Sequence, residues 1–130
     1  MRNTLKAYER LKREQHIDTL FRQGKAFSFS PLRFIYIVAD RGADVSPVRA
    51  GFSVPKKKFR RSVHRHRILR LMREAWRQNK HQLYSMVPAD KQLHIFFVFT
   101  GTELPEYDAV LHHLLKGIDR LQSLFKPADA

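Results

Sequence analysis

The sequence predicts an α+β domain whose elements run α-β-β-β-α-β-α in one pair of layers, and three observations predict it. Stretches with a two-residue hydrophobic alternation and stretches with a helical period follow one another along the chain, with no internal repeat and no linker. At 130 residues there is room for one domain and not for two comfortable ones, so 1–130 reads as a single unit. A hydrophobic content of 43% is enough to bury a core, which argues against global disorder.

Leu11, Ile17, Leu20 and Phe21 mark a short amphipathic helix over roughly residues 13–23, closed by Gly24 just past its end. Phe27 and Phe29 then alternate with serines as a weak strand. Leu32, Phe34, Tyr36 and Val38 alternate with Arg33, Ile35 and Ile37 as a stronger one. Residues 40–44 read as a turn, and Ser46-Pro47 ends that loop. Val48, Ala50, Phe52 and Val54 alternate with Arg49, Gly51 and Ser53 as a third strand, where Gly51 suggests close backbone approach. Residues 56–61 are too basic for a buried element and form a loop. A helix over Ser62–Asn79 follows, with Ser62 as its N-cap. Ile68, Leu71, Met72 and Ala75 fall at i, i+3, i+4 and i+7, with Trp76 at the margin.

Pro88-Ala89-Asp90 breaks the chain, and residues 93–99 are almost wholly apolar and β-prone, a central strand covered on at least one face. Thr100-Gly101 ends it. A last helix starts near Pro105 and turns Val110, Leu111, Leu114, Leu115, Ile118, Leu121 and Phe125 toward the core. Residues 1–10 and 126–130 are expected to be flexible. The third and fourth strands are joined through a helix, so they should be parallel if they are neighbours.

The net charge of +13 describes a partner more than a fold. Residues 56–77 carry ten Lys or Arg against a single acid, Glu74, while residues 78–130 carry five against six. A charge run is usually a solvated face, but ten positive charges with one acid among them repel one another until a polyanion neutralises them. Surface salt bridges cannot absorb the excess, because Glu74 is the only acid in the segment. On a helical wheel His66, Arg70, Arg73 and Arg77 lie opposite the apolar stripe, spaced four, three and four residues apart. Arg65 and Arg67 flank the helix start, where unpaired N–H groups and the macrodipole favour phosphate. Lys56, Lys57, Lys58, Arg60 and Arg61 add mobile cations just before it. Arginine forks match phosphate oxygens and stack on bases; lysines act as point charges. Nucleic acid is the expected partner.

Phe21, Phe34 and Tyr36 are candidates for an aromatic platform that stacks single-stranded bases, although each taken singly fits a core position as well. Catalytic signals are poor. His64 and His66 sit among arginines that would repel a metal ion, His112 and His113 point differently on a helix, and no carboxylates cluster as two-metal hydrolysis needs. There is no cysteine, which excludes disulfides and cysteine-based zinc or redox sites. The first residues lack the apolar stretch of a signal peptide, and no apolar run is long enough to span a bilayer. A soluble, cytoplasmic protein with no membrane association is expected.

The stretch Arg49-Ala50-Gly51-Phe52-Ser53-Val54-Pro55-Lys56-Lys57-Lys58, followed by Val63-His64-Arg65-His66-Arg67-Ile68-Leu69-Arg70-Leu71-Met72-Arg73-Glu74, closely resembles the signature of the bacterial ribonuclease P protein family. Arg10-Leu11-Lys12-Arg13 through Phe21 and Gly24-Lys25 is similar too, so the resemblance covers nearly the whole chain. His66 stands where the family usually has Asn, Ile17 stands near a position that is often aromatic, and Phe59-Arg60-Arg61 makes the loop one residue longer than the commonest form.

The resemblance implies an RNA-binding subunit of a ribozyme that trims the 5′ leader from precursor tRNA. Its partners would be the catalytic RNA and the precursor tRNA, with no obligate protein partner. The RNA would perform hydrolysis with Mg²⁺, and the protein would hold no metal tightly and supply no catalytic residue. Residues around Arg65-His66-Arg67 would bind the RNA. A cleft between the first helix and the sheet, carrying Arg13, Ile17, Phe21, Lys25, Phe34 and Tyr36, would take the leader. The implied fold is a sandwich like domain 2 of ribosomal protein S5 with a left-handed β-α-β crossover, against the usual right-handed rule. The alternative reading is a ribosomal or other structural RNA-binding protein.

Overall fold

The structure, a computed structural model, describes residues 20–42 and 46–125. Its elements are β1 (Lys25–Phe29), β2 (Leu32–Asp40), β3 (Val48–Ser53), α1 (Ser62–Asn79), α2 (His81–Tyr84), β4 (Lys91–Phe99) and α3 (Tyr107–Gln122), with a 3₁₀ turn at Ser123–Phe125. Residues 20–23 are helical, and the Gly24 N–H closes that turn on the Leu20 carbonyl at 2.8 Å. The rest of the expected first helix, with Arg13 and Ile17, lies outside the described residues, as do positions 43–45 and 126–130.

The sheet has the order β1-β2-β4-β3. β1 pairs antiparallel with β2, and β2 with β4 over nine residue pairs from Leu32 opposite Phe99 to Asp40 opposite Lys91. β3 and β4 are adjacent and parallel, joined through α1, as their connection requires. β4 occupies an interior position because it can: Leu93, Ile95 and Phe97 are fully buried on one face, while Gln92 and His94 are buried on the other. Their side-chain polarity is satisfied locally. Gln92 Nε2 donates to the Ser46 carbonyl at 2.9 Å, and His94 Nε2 meets Gln92 Oε1 at 2.6 Å.

α1 and α3 cover the first of these faces. The core joins Leu32, Phe34, Val48, Ala50, Leu93, Ile95, Phe97 and Phe99 of the sheet to Ile68, Met72, Ala75 and Trp76 of α1 and Val110, Leu114, Ile118 and Leu121 of α3. At about 1.5–3 kcal/mol for each large side chain removed from water, this layer dominates the stability. Among the described residues the opposite face carries a small cluster, Leu20 with Ile35, flanked by half-buried Ile37, Phe96 and Val98. α3 comes down on Phe34 at Gly117, where a Cβ would stand 2.2 Å from Phe34 Cζ. The glycine is what allows helix and ring to touch.

Several local expectations change. Ser62 is the first helical residue rather than the cap; Arg61 caps α1, with no side-chain hydrogen bond. Trp76 is fully buried, packed 5.3 Å from Phe97, and Leu71 takes the half-buried margin instead. The stripe is rotated because the short helix α2 and Tyr84 fold against Trp76 and draw that side of α1 inward. α3 begins at Tyr107, two residues after Pro105, and Leu111, Leu115 and Phe125 are only partly buried.

Candidate nucleic-acid interface

On α1 the residues opposite the buried stripe are the cationic ones. His66, Arg67, Arg70 and Arg73 are exposed, and no described carboxylate pairs with any of them. Arg73 extends over the exposed side of the Phe52 ring, 5.9 Å from its centroid, and Phe52 is stacked on Phe97, so the guanidinium is steered by the sheet edge beneath it. Arg77 differs. Its Nε donates to Glu74 Oε2 at 3.0 Å, and a second bond runs from its Nη2 to Oε1 of the same carboxylate. The Arg77 hydrogen bonds hold the Glu74 carboxyl below its usual pKa, and the carboxylate raises that of Arg77 in return. The one acid of the segment is thus committed to the last cation of the ridge, and Arg67, Arg70 and Arg73 have no described carboxylate partner.

The loop before α1 is held more firmly than its composition suggests. Lys56, Lys57, Lys58, Arg60 and Arg61 are exposed, but Phe59 between them is 6% exposed and packs 5.8 Å from Phe99. The Lys58 and Phe59 N–H groups both reach the Pro55 carbonyl, and Lys58 Nζ donates to the Thr100 carbonyl at 2.6 Å. An apolar anchor in the middle of a basic run turns mobile cations into a fixed rim. Arg65 completes it. Rather than flanking the helix outwardly, Arg65 Nη1 donates to the carbonyls of Phe59 at 2.7 Å and Arg60 at 2.9 Å. The helical period explains the split within the Arg65-His66-Arg67 motif. Arg65 lies on the same side as the buried Met72 and Trp76, so it folds back on the loop; Arg67 lies toward solvent.

The second candidate surface is the sheet face opposite α1 and α3. Phe21 is 52% exposed, and its ring meets Phe96 edge-on at 5.3 Å. Around this pair lie Ile35 and Ile37 of β2 and Val98 of β4. Phe34 and Tyr36, expected here, are on the other face. Phe34 is fully buried among Phe27, Phe97 and Gly117, and Tyr36 packs on Phe27 at 5.8 Å. Lys25 is the register partner of Tyr36 and shares that face. Both alternating sets of β2 are apolar, and α3 claimed the aromatic one. The platform aromatic missed by sequence reasoning is Phe96; its signal was its place in the alternation with His94 and Val98.

Among the described residues no three His, Cys, Asp or Glu converge to hold a metal ion. The His112 and His113 rings do touch, at 5.1 Å, although neighbours on a helix were expected to diverge. Burial lowers the His113 pKa, helped by His112 and Lys116, and its Nδ1 is buried without a partner. No described helix is long and apolar enough to cross a membrane.

Comparisons with known proteins agree on one family. The family model described as Ribonuclease P matches residues 5–122. A ribonuclease P protein component of Porphyromonas gingivalis is 39% identical over 116 residues, which cover 87% of this chain and 82% of the relative. That of Chlorobaculum tepidum is 32% identical over 129 residues, covering 89% and 83%. Among solved structures, the Staphylococcus aureus RNase P protein superposes with a TM-score of 0.68 at 18% identity, over 93% of this chain and all of that one (100%). The Thermotoga maritima RNase P protein gives 0.66 at 22% identity, over 86% of this chain and 96% of the other. At such identities the structural likeness speaks for the fold.

Proposed function

This chain belongs to the ribonuclease P protein family, and from that premise we propose how its surfaces serve the holoenzyme. Membership makes it the protein component of an endoribonuclease that works with an RNA partner in tRNA 5′ processing. The finer assignment is our own. The catalytic RNA docks on the rim and ridge formed by Lys56, Lys57, Lys58, Arg60, Arg61, His66, Arg67, Arg70 and Arg73, with Arg65 and Arg77 positioning it from behind. The 5′ leader of the precursor tRNA lies across the Phe21–Phe96 face. Hydrolysis and its Mg²⁺ are assigned to the RNA partner. The protein contributes charge neutralisation and a surface for single-stranded bases. The setting is the cytoplasm. The fold is read as S5-domain-2-like; the parallel β3 and β4 joined through α1 supply its β-α-β unit, and the left hand of that crossover is the family's expectation.

The observation that carries this is the exposed cationic ridge with no described carboxylate paired to His66, Arg67, Arg70 or Arg73, on a helix whose other side is packed on the core. The test is reconstitution. Added to its cognate ribonuclease P RNA at low Mg²⁺, the protein should stimulate leader removal, and the protein alone should cut nothing. A protein that binds RNA but leaves cleavage unchanged would favour a structural ribosomal role instead.

A further inference from the structure

Each strand of the sheet carries a phenylalanine at matching register: Phe27 opposite Phe34, Phe34 opposite Phe97, and Phe97 opposite Phe52. The row crosses the whole sheet on the face that α1 and α3 cover. Phe27 and Phe34 stack at 4.8 Å and 12°, Phe52 and Phe97 at 5.1 Å and 11°, and Phe34 meets Phe97 edge-on at 5.4 Å. An exposed arginine from a helix caps each end. Arg73 of α1 lies over Phe52, and Arg120 of α3 lies over Phe27 with its Cζ 4.9 Å from the ring centroid. Three strand spacings of about 4.8 Å put the two ends of the row roughly 14 Å apart.

Arg73 belongs to the ridge already described, whereas Arg120 heads a second set of cations. Lys116 lies one helical turn before Arg120, and both lie to the same side of Gly117, the residue that sits on Phe34. The contact of Arg120 with Phe27 shows that this side of α3 faces β1. Lys25 of β1 shares the face of Phe27, two residues along the strand. All three cations are exposed, and no described carboxylate pairs with any of them, including Asp108 and Asp119 of the same helix. From residue 25 to residue 39 the chain holds no acid at all.

A packing role for Arg120 on its ring would leave Lys25 and Lys116 unexplained, since they add only repulsion beside it. Cations gathered without a counter-charge suit a polyanion. A second copy of this chain, itself at +13, would be repelled from this edge. An arginine steadied by a ring beneath it keeps its fork for phosphate oxygens and its outer side for a base.

We infer that the β1–α3 edge is a second contact for the RNA subunit, with Arg120, Lys116 and Lys25 on its phosphates. Arg120 and Lys116 lie in the same helical layer as the α1 ridge, whereas the leader is assigned to the opposite face of the sheet, and this selects the RNA subunit over the precursor tRNA. The inference rests on the ribonuclease P reading above and goes beyond it by giving the protein two RNA contacts at opposite edges of one sheet.

The experiment uses the full chain and its cognate ribonuclease P RNA, first without precursor tRNA and then with it. Salt titrations of assembly and hydroxyl-radical footprints compare wild type, Lys116→Gln, the double variant Lys116→Gln with Arg120→Gln, and Arg70→Gln of the ridge. Thermal melts confirm folding. Lys116→Gln alters an exposed side chain with no ring contact, so it reports on charge even if loss of the Arg120–Phe27 contact loosens the double variant. The slope of log K against log salt should fall by about 0.7–0.9 for each lost phosphate contact, so by roughly twice that in the double variant. Both α3 variants should expose an RNA segment that Arg70→Gln leaves protected. A wild-type slope and footprint in both α3 variants overturns the second contact and leaves the ribonuclease P reading standing. Exposure of the same RNA positions as Arg70→Gln also overturns it, because the edge then acts only through the ridge. Effects that emerge only once precursor tRNA is added overturn the RNA subunit as occupant and assign the edge to the substrate. Failure of the wild-type protein to assemble at all sinks the functional reading and the second contact together.

Discussion

Two arginines two residues apart should fail in different ways. Arg65 Nη1 bridges the carbonyls of Phe59 and Arg60, whereas Arg67 points to solvent. A hydrogen bond from a charged donor contributes about 1.5–3 kcal/mol when well buried and nearer 0.5–1.5 when water competes. One of the two here is part-buried and the other exposed, so Arg65→Ala should cost about 1–2 kcal/mol. At about 4 °C per kcal/mol for a chain of this size, Tm should fall by roughly 4–8 °C. Arg67→Ala removes no internal contact and should stay within about 0.5 kcal/mol of wild type. In RNA binding the pattern inverts. Losing Arg67 would remove the proposed phosphate contact and should lower the slope of log K against log salt by about 0.7–0.9. Losing Arg65 should weaken binding through a loosened rim, with a smaller change in slope. The assays are thermal melts followed by circular dichroism and a salt titration of assembly with the RNA. Arg65→Ala melting with wild type while losing as much salt slope as Arg67→Ala would refute the division of labour.

Glu74→Gln releases Arg77 and removes the only acid of the ridge, so it should tighten RNA binding at low salt and steepen its salt dependence, as measured in the same titration. Because Arg77 depresses the folded-state pKa of Glu74, the pair's stabilisation is present above the ordinary value of 4.5 and lost as pH falls below it. Both side chains are substantially exposed, so no more than a few tenths of a kcal/mol is expected from denaturant curves at pH 6 and pH 3.5. His113 is held below its ordinary 6.5 by burial, so its contribution is full above 6.5 and falls as acid protonates the unfolded chain first; His113→Gln should flatten the stability profile just below pH 6.5. Gly117→Ala gains about 1 kcal/mol of helix propensity but drives a methyl into Phe34, at about 1–3 kcal/mol, so urea unfolding should show a net loss; a more stable variant would contradict the close approach. Phe21→Ala deletes the edge-on contact with Phe96 and should cost about 0.5–1.5 kcal/mol of stability, while weakening binding of leader-bearing substrates by about 1–3 kcal/mol, with leaderless ones unaffected. Phe34→Ala should instead lower stability by about 3–5 kcal/mol and affect both substrates alike.

The order of the four strands with α1 and α3, the alternation of each strand, the period of α1 and the concentration of charge at residues 56–77 were legible in the sequence, because each is a local property: neighbours two, three or four apart share a face whatever the rest of the chain does. The family signature lay in the same residues. Three functional details were not legible. β2 is apolar on both faces, so alternation could not say whether Phe34 and Tyr36 or Ile35 and Ile37 would meet α3; the glycine at 117, eighty-odd positions away, settled it by fitting Phe34. Phe59 looked like part of a mobile basic loop until Phe99 gave it a partner. Arg65 read as a cation flanking the helix outwardly until that anchoring brought the carbonyls of residues 59 and 60 within reach. Charge and periodicity are read along the chain, whereas the assignment of a face to a layer, or of a cation to a carbonyl, depends on distances that exist only once remote segments have closed on one another.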